Sequence, residues 1–472
     1  MKQYLLTMLA AASVAGLTTM TASADAQLNC KARGMDVDVT FMSPTTVRVL
    51  KYPQADRQPD VPGLVVVKQP ENVAVTRSSE GRRETIASDS LTVTVDTATG
   101  AVSFFSHNGT ELLTDYSTSF TPETHGTDTS YRIRQSFMLD GAEPIYGVGQ
   151  VMDGKLNRRN SVHHMQNENM FTYSAYFMSP TKGYAVYSDN YSISDFTDNE
   201  QLLEFSQLGN ASDYYFVYGP TPDGIIAGMR DLTGHAPMLP LWAYGYFQSK
   251  ERYTTQQESL DVLKKYRKLG VPIDCIIQDW RYWPEHNGTD SLWNAHRFDA
   301  ERFPDPVKWA DEIHRNNGKL MIVAWPGFGP VTPQYADMEK ENAILDFLTW
   351  PPQSGAKPYD VFNDKARDIY WSYLDKGIFS YINNDGWWLD STEPDHIERK
   401  ESDYDVPTAE GPYRNVKNAY SLMHNTGIAE HQKAQNKDKR VMILTRSGHI
   451  GQQRLGSNTW SGDVVSSWDM LE

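Results

Sequence analysis

The first part of the chain alternates apolar and polar positions in short runs. A period of two is typical of half-buried β-strands, and Asn108-Gly109 and Thr97–Gly100 separate runs as turns. The runs are Val37–Phe41, Val47–Leu50, Leu64–Val67, Val73–Val75, Leu91–Val95 and Val102–Phe105. We therefore predict an antiparallel β-sandwich domain over residues 27–235.

Beyond about residue 235 the pattern changes to apolar runs that alternate with amphipathic helices. Thr255–Leu269 and Pro306–Asn316 carry apolar residues at helical spacing. The predicted strands are Ala243–Phe247, Ile273–Gln278, Leu320–Trp325, Gly386–Leu389, Val441–Thr445 and Asn458–Trp460. Repeated βα units, with charged and aromatic residues at the strand ends, favour a (β/α)8 barrel over residues 236–472. Because only six strands can be counted, we expect the barrel to be incomplete in this chain, with open edges.

The amino-acid composition supports the division into two domains and excludes some classes of function. All twelve tryptophans lie at or after Trp242. The net charge of −16 argues against a nucleic acid or an anionic membrane as partner. The only cysteines are Cys30 and Cys275, so we expect a hydrophobic core and not a disulfide framework to hold the fold. The many tyrosines and tryptophans of an acidic protein suit stacking on neutral sugar rings.

The first 26 residues have the pattern of a secretory signal peptide. Lys2 precedes an apolar stretch from Tyr4 to Leu17, and small residues end it near Ala24 and Ala26. The apolar core is too short to span a membrane. We expect an exported protein of the periplasm or the extracellular space, without a membrane span.

Two aspartates stand where strands end. Asp390 follows Gly386–Leu389, and Asp463 follows the strand Asn458–Trp460 after two residues. Cleavage of a glycosidic bond needs two such carboxyl groups. We predict Asp390 as nucleophile and Asp463 as acid/base, with burial and the neighbouring negative charge keeping Asp463 protonated. Glu393, in the same loop as Asp390, is the rival nucleophile.

Other residues at the predicted strand ends complete the candidate site. Arg446 is placed to keep the nucleophile ionised and to bind a sugar hydroxyl, although a structural salt bridge explains it nearly as well. Trp325, Trp388 and Trp460 are candidate walls of a sugar pocket, and each is as readily a core residue. Trp280 and Trp283, next to Asp279, are likewise either pocket walls or core residues. The histidines have no metal-ligand spacing, so we predict no metal and no cofactor.

Several segments resemble glycoside hydrolase family 31 along nearly the whole chain. They are Glu143–Gln150, Asp213–Pro220, Leu232–Pro240, Asp385–Pro394, Thr445–Ser447, Gln453-Arg454 and Trp460–Asp463. The resemblance implies a retaining exo-α-glycosidase that acts on an oligosaccharide or polysaccharide. It also implies that Asp279 binds hydroxyl groups of the terminal sugar. Glu393 is then expected to orient Arg446 or a sugar hydroxyl.

The chain departs from the common family pattern at a few positions. Ser391-Thr392 stand where Met-Asn is common, and Val464 stands where an Asn usually follows the acid/base. Trp387-Trp388 and the Ser-Thr-Glu-Pro that follows Asp390 resemble α-xylosidase-like members more than starch-active α-glucosidases. The late barrel strands of the family, one of which carries a sugar-binding histidine, are expected to be missing from this sequence.

The sequence leaves several functions open. An α-xylosidase is preferred, and α-glucosidase and α-galactosidase remain alternatives, because one hydroxymethyl group separates xylose from glucose. A transglycosylase uses the same two acids, and a carbohydrate-binding protein without catalysis keeps the pocket. Oligomeric state is not predicted.

Overall fold

The computed structural model of this protein describes residues 26–54, 56 and 63–471. The predicted signal peptide lies outside the described residues except for Ala26. Among the described helices, none has the length and apolar character that a bilayer crossing demands.

The N-terminal part is built from sixteen strands in two antiparallel sheets. In chain order they are β1 Gln27–Ala32, β2 Met35–Ser43, β3 Thr46–Pro53, β4 Thr76–Glu80, β5 Arg83–Ala87, β6 Leu91–Asp96, β7 Val102–Ser106, β8 Glu111–His125, β9 Asp128–Met138, β10 Tyr146–Val151, β11 Val162–Met165, β12 Phe171–Ser179, β13 Tyr184–Ser188, β14 Ser194–Asn199, β15 Leu202–Gly209 and β16 Ser212–Tyr218. One sheet has the order β1-β2-β3-β16-β13-β12-β10, and the other has the order β11-β14-β15-β9-β8-β7-β6-β5-β4.

The two sheets pack face to face around one apolar core. Phe104 of β7 and Phe216 of β16, on opposite sheets, stack with ring centroids 4.0 Å apart. Along β6 buried residues alternate with partly exposed ones, as the period of two predicts. The predicted sandwich is therefore confirmed, and four of the six predicted strands lie within β2, β3, β6 and β7.

Two of the predicted strands are wrong. Leu64–Val67 and Val73–Val75 are irregular segments without strand partners in the described sheets. The backbone of the first bonds to other partners: Arg454 donates to the carbonyl of Val65 at 2.9 Å, and the amide of Val67 donates to the carbonyl of Leu232 at 3.1 Å. Val65 is buried in an apolar cluster that includes barrel residues, whereas Val67 is 45% exposed. Periodicity alone does not distinguish such a segment from a strand.

The C-terminal part is a parallel sheet of six strands in sequence order. These are β17 Phe247–Gln248, β18 Cys275–Gln278, β19 Lys319–Ala324, β22 Gly386–Leu389, β25 Ile443–Thr445 and β26 Ser457–Thr459. Two small antiparallel pairs lie outside it: β20 Gly327–Phe328 with β21 Lys357–Pro358, and β23 Pro407–Thr408 with β24 Gly411–Pro412. Sequential parallel strands joined by helices are how a (β/α) barrel is built, so the prediction of this architecture is confirmed.

Nine α-helices are described. They are α1 Pro222–Thr233, α2 Gln256–Leu269, α3 Pro306–Arg315, α4 Pro333–Lys340, α5 Asp364–Leu374, α6 Ser380–Ile382, α7 Tyr413–Val416, α8 Tyr420–Gln435 and α9 Trp468–Leu471. The predicted helices are α2 and α3. Thr255 caps α2 by accepting a bond from the amide of Glu258, and Gly270 ends it in the left-handed conformation.

The first predicted barrel strand is displaced. Leu241–Tyr244 forms a 3₁₀ turn, which the amide of Gly245 closes by donating to the carbonyl of Trp242 at 3.1 Å, and the strand is confined to Phe247–Gln248. The change from antiparallel to parallel pairing falls between Tyr218 and Phe247. The domain boundary near residue 235 lies in this interval and stays a prediction.

Candidate functional site

A pocket of about 730 Å³ lies at the carboxyl end of the parallel strands. Asp279 follows β18, Trp325 follows β19, Asp390 follows β22 and Arg446 follows β25. Parallel strands place their carboxyl ends at one edge, so these four residues converge although they are far apart in sequence.

One buried guanidinium group joins the acids of the pocket. Arg446 Nε donates to Glu393 Oε1 at 2.8 Å, and Nη2 pairs with Asp395. Its Nη1 lies 3.3 Å from Asp390 Oδ1 and 3.4 Å from Asp463 Oδ2. Four carboxylates therefore share one cation, which lowers the cost of bringing so many acids together.

The backbone after Asp390 holds this aspartate in place. Ser391 has a φ of +55°, which is uncommon for a residue other than glycine, and its amide donates to Asp390 Oδ1 at 2.9 Å. The hydroxyl of Ser391 in turn accepts a bond from the amide of Asp395 at 3.0 Å. A left-handed residue immediately after a candidate nucleophile is the kind of local strain that clusters at functional sites.

Burial raises the pKa values of three acids in and beneath the pocket lining. It raises the pKa of Asp390 to about 6 against the opposing effect of Arg446, with the charge of Asp395 acting in the same direction as burial. Burial and then the charge of Asp390 raise the pKa of Asp279 to about 8. Burial likewise raises the pKa of Glu393. Asp390 is thus mainly ionised at neutral pH, whereas Asp279 is mainly protonated.

Asp463 is not buried as predicted. Its side chain is 69% exposed, so the expectation that burial keeps it protonated is wrong for the described structure. The residue lies on the loop after β26. Its fixed contacts are polar: Arg446 Nη1 at 3.4 Å and the side-chain amide of Asn169 at 2.6 Å.

Tryptophans form the aromatic wall of the pocket. Trp325 and Trp350 stack with centroids 5.6 Å apart, and Trp280 meets Trp350 edge-on at 5.6 Å. Trp388 also lines the pocket. Trp460 does not, and instead packs against Trp388 with centroids 5.5 Å apart.

Two other candidates from the sequence lie behind this lining. Trp283 is a core residue that contacts Trp293 edge-on. Glu393 is buried beneath the lining, where its Oε1 accepts a hydrogen bond from Arg446 at 2.8 Å. Any contact of Glu393 with substrate would therefore require rearrangement.

Sequence reasoning assigned no site role to several lining residues: Asn169, Glu251, Trp350, Asp395, His396, Ile397 and Arg399. Asp395 belongs to the acidic run after Asp390, so its position in the sequence could have identified it as a site residue. The position of Asn169 gave no such indication, because this residue belongs to the sandwich domain, 294 residues before Asp463. No local pattern connects residues that far apart.

The fold and site define a two-domain protein with an antiparallel β-sandwich, a parallel βα barrel sheet and an acid-rich, tryptophan-walled pocket at the carboxyl edge of its strands. The family model described as "Glycosyl hydrolases family 31 TIM-barrel domain" matches residues 236–472. The "Glycosyl hydrolase 31 N-terminal galactose mutarotase-like domain" matches residues 36–196. The chain belongs to glycoside hydrolase family 31.

Individual relatives agree with this assignment. The chain is 34% identical over 452 residues to an α-xylosidase of Saccharolobus solfataricus, covering 93% of this chain and 59% of that protein. It is 27% identical over 472 residues to α-glucosidase 2 of Bacillus thermoamyloliquefaciens, covering 92% and 57% respectively. The crystal structure of a family 31 α-xylosidase from Xanthomonas citri superposes with a TM-score of 0.87 at 24% identity, over 96% of this chain and 66% of that one. The chain thus spans about three fifths of the length of these two curated relatives.

Proposed function

We propose that this protein is an exo-acting, retaining α-glycosidase that releases a terminal α-linked sugar from an oligosaccharide or polysaccharide, with xylose as the preferred sugar. The observation that carries the proposal is the position of Asp390 Oδ1 and Asp463 Oδ2 within 3.4 Å of the same nitrogen of Arg446. The two oxygens can be no further apart than the sum of those distances. That limit admits the separation of about 5 Å at which one carboxylate attacks while the other protonates.

In the proposed first step Asp390 attacks the anomeric carbon as the glycosidic bond breaks. Asp463 gives its proton to the leaving oxygen, and the products are a β-linked glycosyl-enzyme and the alcohol of the leaving group. In the second step Asp463 takes a proton from water, whose oxygen attacks the same carbon and releases Asp390. Two inversions retain the α configuration.

The other pocket residues are proposed to bind the sugar. Asp279, with its raised pKa, is protonated at neutral pH, so its carboxyl group can both donate to and accept from sugar hydroxyls. Arg446 keeps Asp390 ionised for attack. The stacked pair Trp325 and Trp350 offers an apolar face to the ring, and Trp388 borders the same space.

The choice of xylose is supported by the S. solfataricus relative, whose name is α-xylosidase, and by the Trp387-Trp388 motif. The 27% identity to an α-glucosidase keeps glucose as the alternative sugar. We also propose export of the protein, on the basis of the pattern of residues 1–26.

The test is hydrolysis of aryl α-xyloside, α-glucoside and α-galactoside by the protein at its natural full length. We expect turnover of the xyloside above the others and its loss in Asp390→Ala, with azide restoring turnover and giving a β-glycosyl azide. Asp360→Asn is the matched control, since it also alters a buried carboxyl of the barrel domain but lies outside the pocket lining.

Three results would change the proposal. Absence of turnover with every sugar would favour a carbohydrate-binding protein. Longer saccharides as the main product at high acceptor concentration would indicate a transglycosylase. Full activity of Asp390→Ala would exclude Asp390 as the nucleophile.

A further inference from the structure

A tight turn of the sandwich domain reaches the edge of the pocket. It lies between β11 and β12, where Glu168 and Phe171 exchange two backbone hydrogen bonds of 3.0 Å each. Met170, within the turn, has a φ of +74°, so the backbone is in a conformation that side chains other than glycine rarely adopt. This strained turn presents Asn169, which lines the pocket.

Asn169 brackets Asp463 with two hydrogen bonds. Its Nδ2 donates to Asp463 Oδ2 at 2.6 Å, and its Oδ1 accepts from the backbone amide of Asp463 at 3.0 Å. The chain approaches closely here: a Cβ atom on Gly462 would lie 2.6 Å from Asn169 Oδ1 and 2.7 Å from the amide nitrogen of Met170. Only glycine fits at that position, so the two turns are shaped to each other.

A second contact fixes the loop that carries Asp463 from the same side. Gln150 of β10 donates through Nε2 to the carbonyl of Trp460 at 2.9 Å, and its Oε1 accepts from the hydroxyl of Thr459 at 3.0 Å. These bonds hold the backbone before Asp463 but do not contact its carboxylate. The sandwich domain thus makes two kinds of contact with this loop, one to the backbone and one to the acid itself.

We propose that Asn169 is a positioning residue that selects which oxygen of Asp463 carries the catalytic proton. This inference rests on the proposed acid/base role of Asp463. Oδ2 accepts from Asn169 Nδ2 and also faces Arg446 Nη1 at 3.4 Å. A proton on Oδ2 would point an O–H group at two N–H donors, so the proton resides on Oδ1.

The exposure of Asp463 gives Asn169 its importance. The side chain of Asp463 is 69% exposed, and an exposed aspartate samples several rotamers unless hydrogen bonds restrain it. General acid catalysis requires the proton at hydrogen-bond distance from the leaving oxygen. The Asn169 bracket supplies that restraint, which makes proton transfer in the barrel dependent on a residue of the sandwich.

The test compares Asn169→Ala and Asn169→Asp in the full-length protein with aryl α-xylosides of different leaving-group pKa. A dinitrophenolate departs without protonation, whereas a phenol or a sugar needs the acid. We expect kcat/KM to fall at least about tenfold for the phenyl substrate and less than about twofold for the dinitrophenyl substrate. Asn169→Asp preserves the shape and removes the donor, so it serves where Asn169→Ala folds poorly.

Gln150→Ala is the matched control, because it removes a contact with the same loop but none with the carboxylate. It should leave the dependence on leaving group unchanged. The inference is overturned if Asn169→Ala slows all substrates equally, if it slows none, or if Gln150→Ala reproduces its effect. Absence of turnover in the wild-type protein would instead overturn the proposed function, and this inference with it.

Discussion

Replacement of Arg446 by methionine tests whether one cation stabilises the acids of the pocket. The Arg446 side chain is 4% exposed and pairs with Asp390, Glu393, Asp395 and Asp463. Asp390 and Glu393 are themselves buried. Methionine keeps much of the volume of arginine and removes its charge, so Arg446→Met leaves these two buried acids without their cation.

The structure sets the size of the expected effect. Breaking a buried ion pair by removing one partner costs about 3 to 5 kcal/mol of unfolding free energy, because a buried charge is left uncompensated. Part of this cost is avoided if the acids take up protons. We therefore expect Arg446→Met to lower the free energy of unfolding by about 3 kcal/mol or more at pH 7.

The sign of the pH dependence follows from the direction of the pKa shifts. Without Arg446, the folded-state pKa values of Asp390 and Glu393 rise further above their unfolded values of about 4. Groups shifted upwards contribute stability that is present below the unfolded pKa and is lost as pH rises through the folded pKa. The loss of stability in Arg446→Met should thus be larger at pH 7 than at pH 5.

Urea unfolding followed by tryptophan fluorescence suits this measurement, since all twelve tryptophans lie at or beyond Trp242. Arg414→Met is the matched control. Arg414 is similarly buried, at 7% exposed, but its partners lie nearer to solvent: Glu401 is 80% exposed and Asp405 is 24% exposed. We expect a cost of about 1 kcal/mol that changes little with pH. Equal costs for the two variants, or a pH-independent cost for Arg446→Met, would refute the reasoning.

Three further predictions rest on the other shifted groups. The acid limb of kcat/KM should lie near pH 6, since Asp390 must be ionised to attack and its pKa is about 6; a limb near pH 4 in a pH-rate profile would contradict this. Burial lowers the pKa values of His296 and His424 to about 3, so unfolding free energy should fall as pH drops below about 6.5, by up to ~1.4 kcal/mol per pH unit for each histidine. His296→Gln should flatten that slope in urea titrations from pH 7 to pH 4, and an unchanged slope would exclude its contribution. Asp279→Asn should be nearly neutral for stability at pH 4 and stabilising at pH 7, because wild-type Asp279, with a folded-state pKa of about 8 and an unfolded value of about 4, loses stability as pH rises between these two values; a variant less stable than wild type at pH 7 would show that the charged form is well accommodated.

The fold was largely predictable where local patterns carry the information. Alternation with period two identified strands such as β6 and β7, and capping residues such as Thr255 marked helix starts. Prediction failed at Leu64–Val67 and at Ala243–Phe247. Val65 is buried in an apolar cluster, whereas Tyr244 and Tyr246 are exposed, and a short apolar run has the same pattern in a strand and in an irregular segment.

The candidate site likewise contains residues that the sequence indicated and residues that it did not. The positions of charged residues at strand ends could be read from the sequence, because a residue that follows a buried strand is delivered to the strand's carboxyl edge. This reading indicated Asp279, Asp390 and Arg446, which line the pocket. The exposure of Asp463 and its contact with Asn169 emerged only from the folded chain. The hydrogen bonds between Asn169 and Asp463 depend on how closely the two domains approach each other. No spacing of residues along the chain encodes that distance.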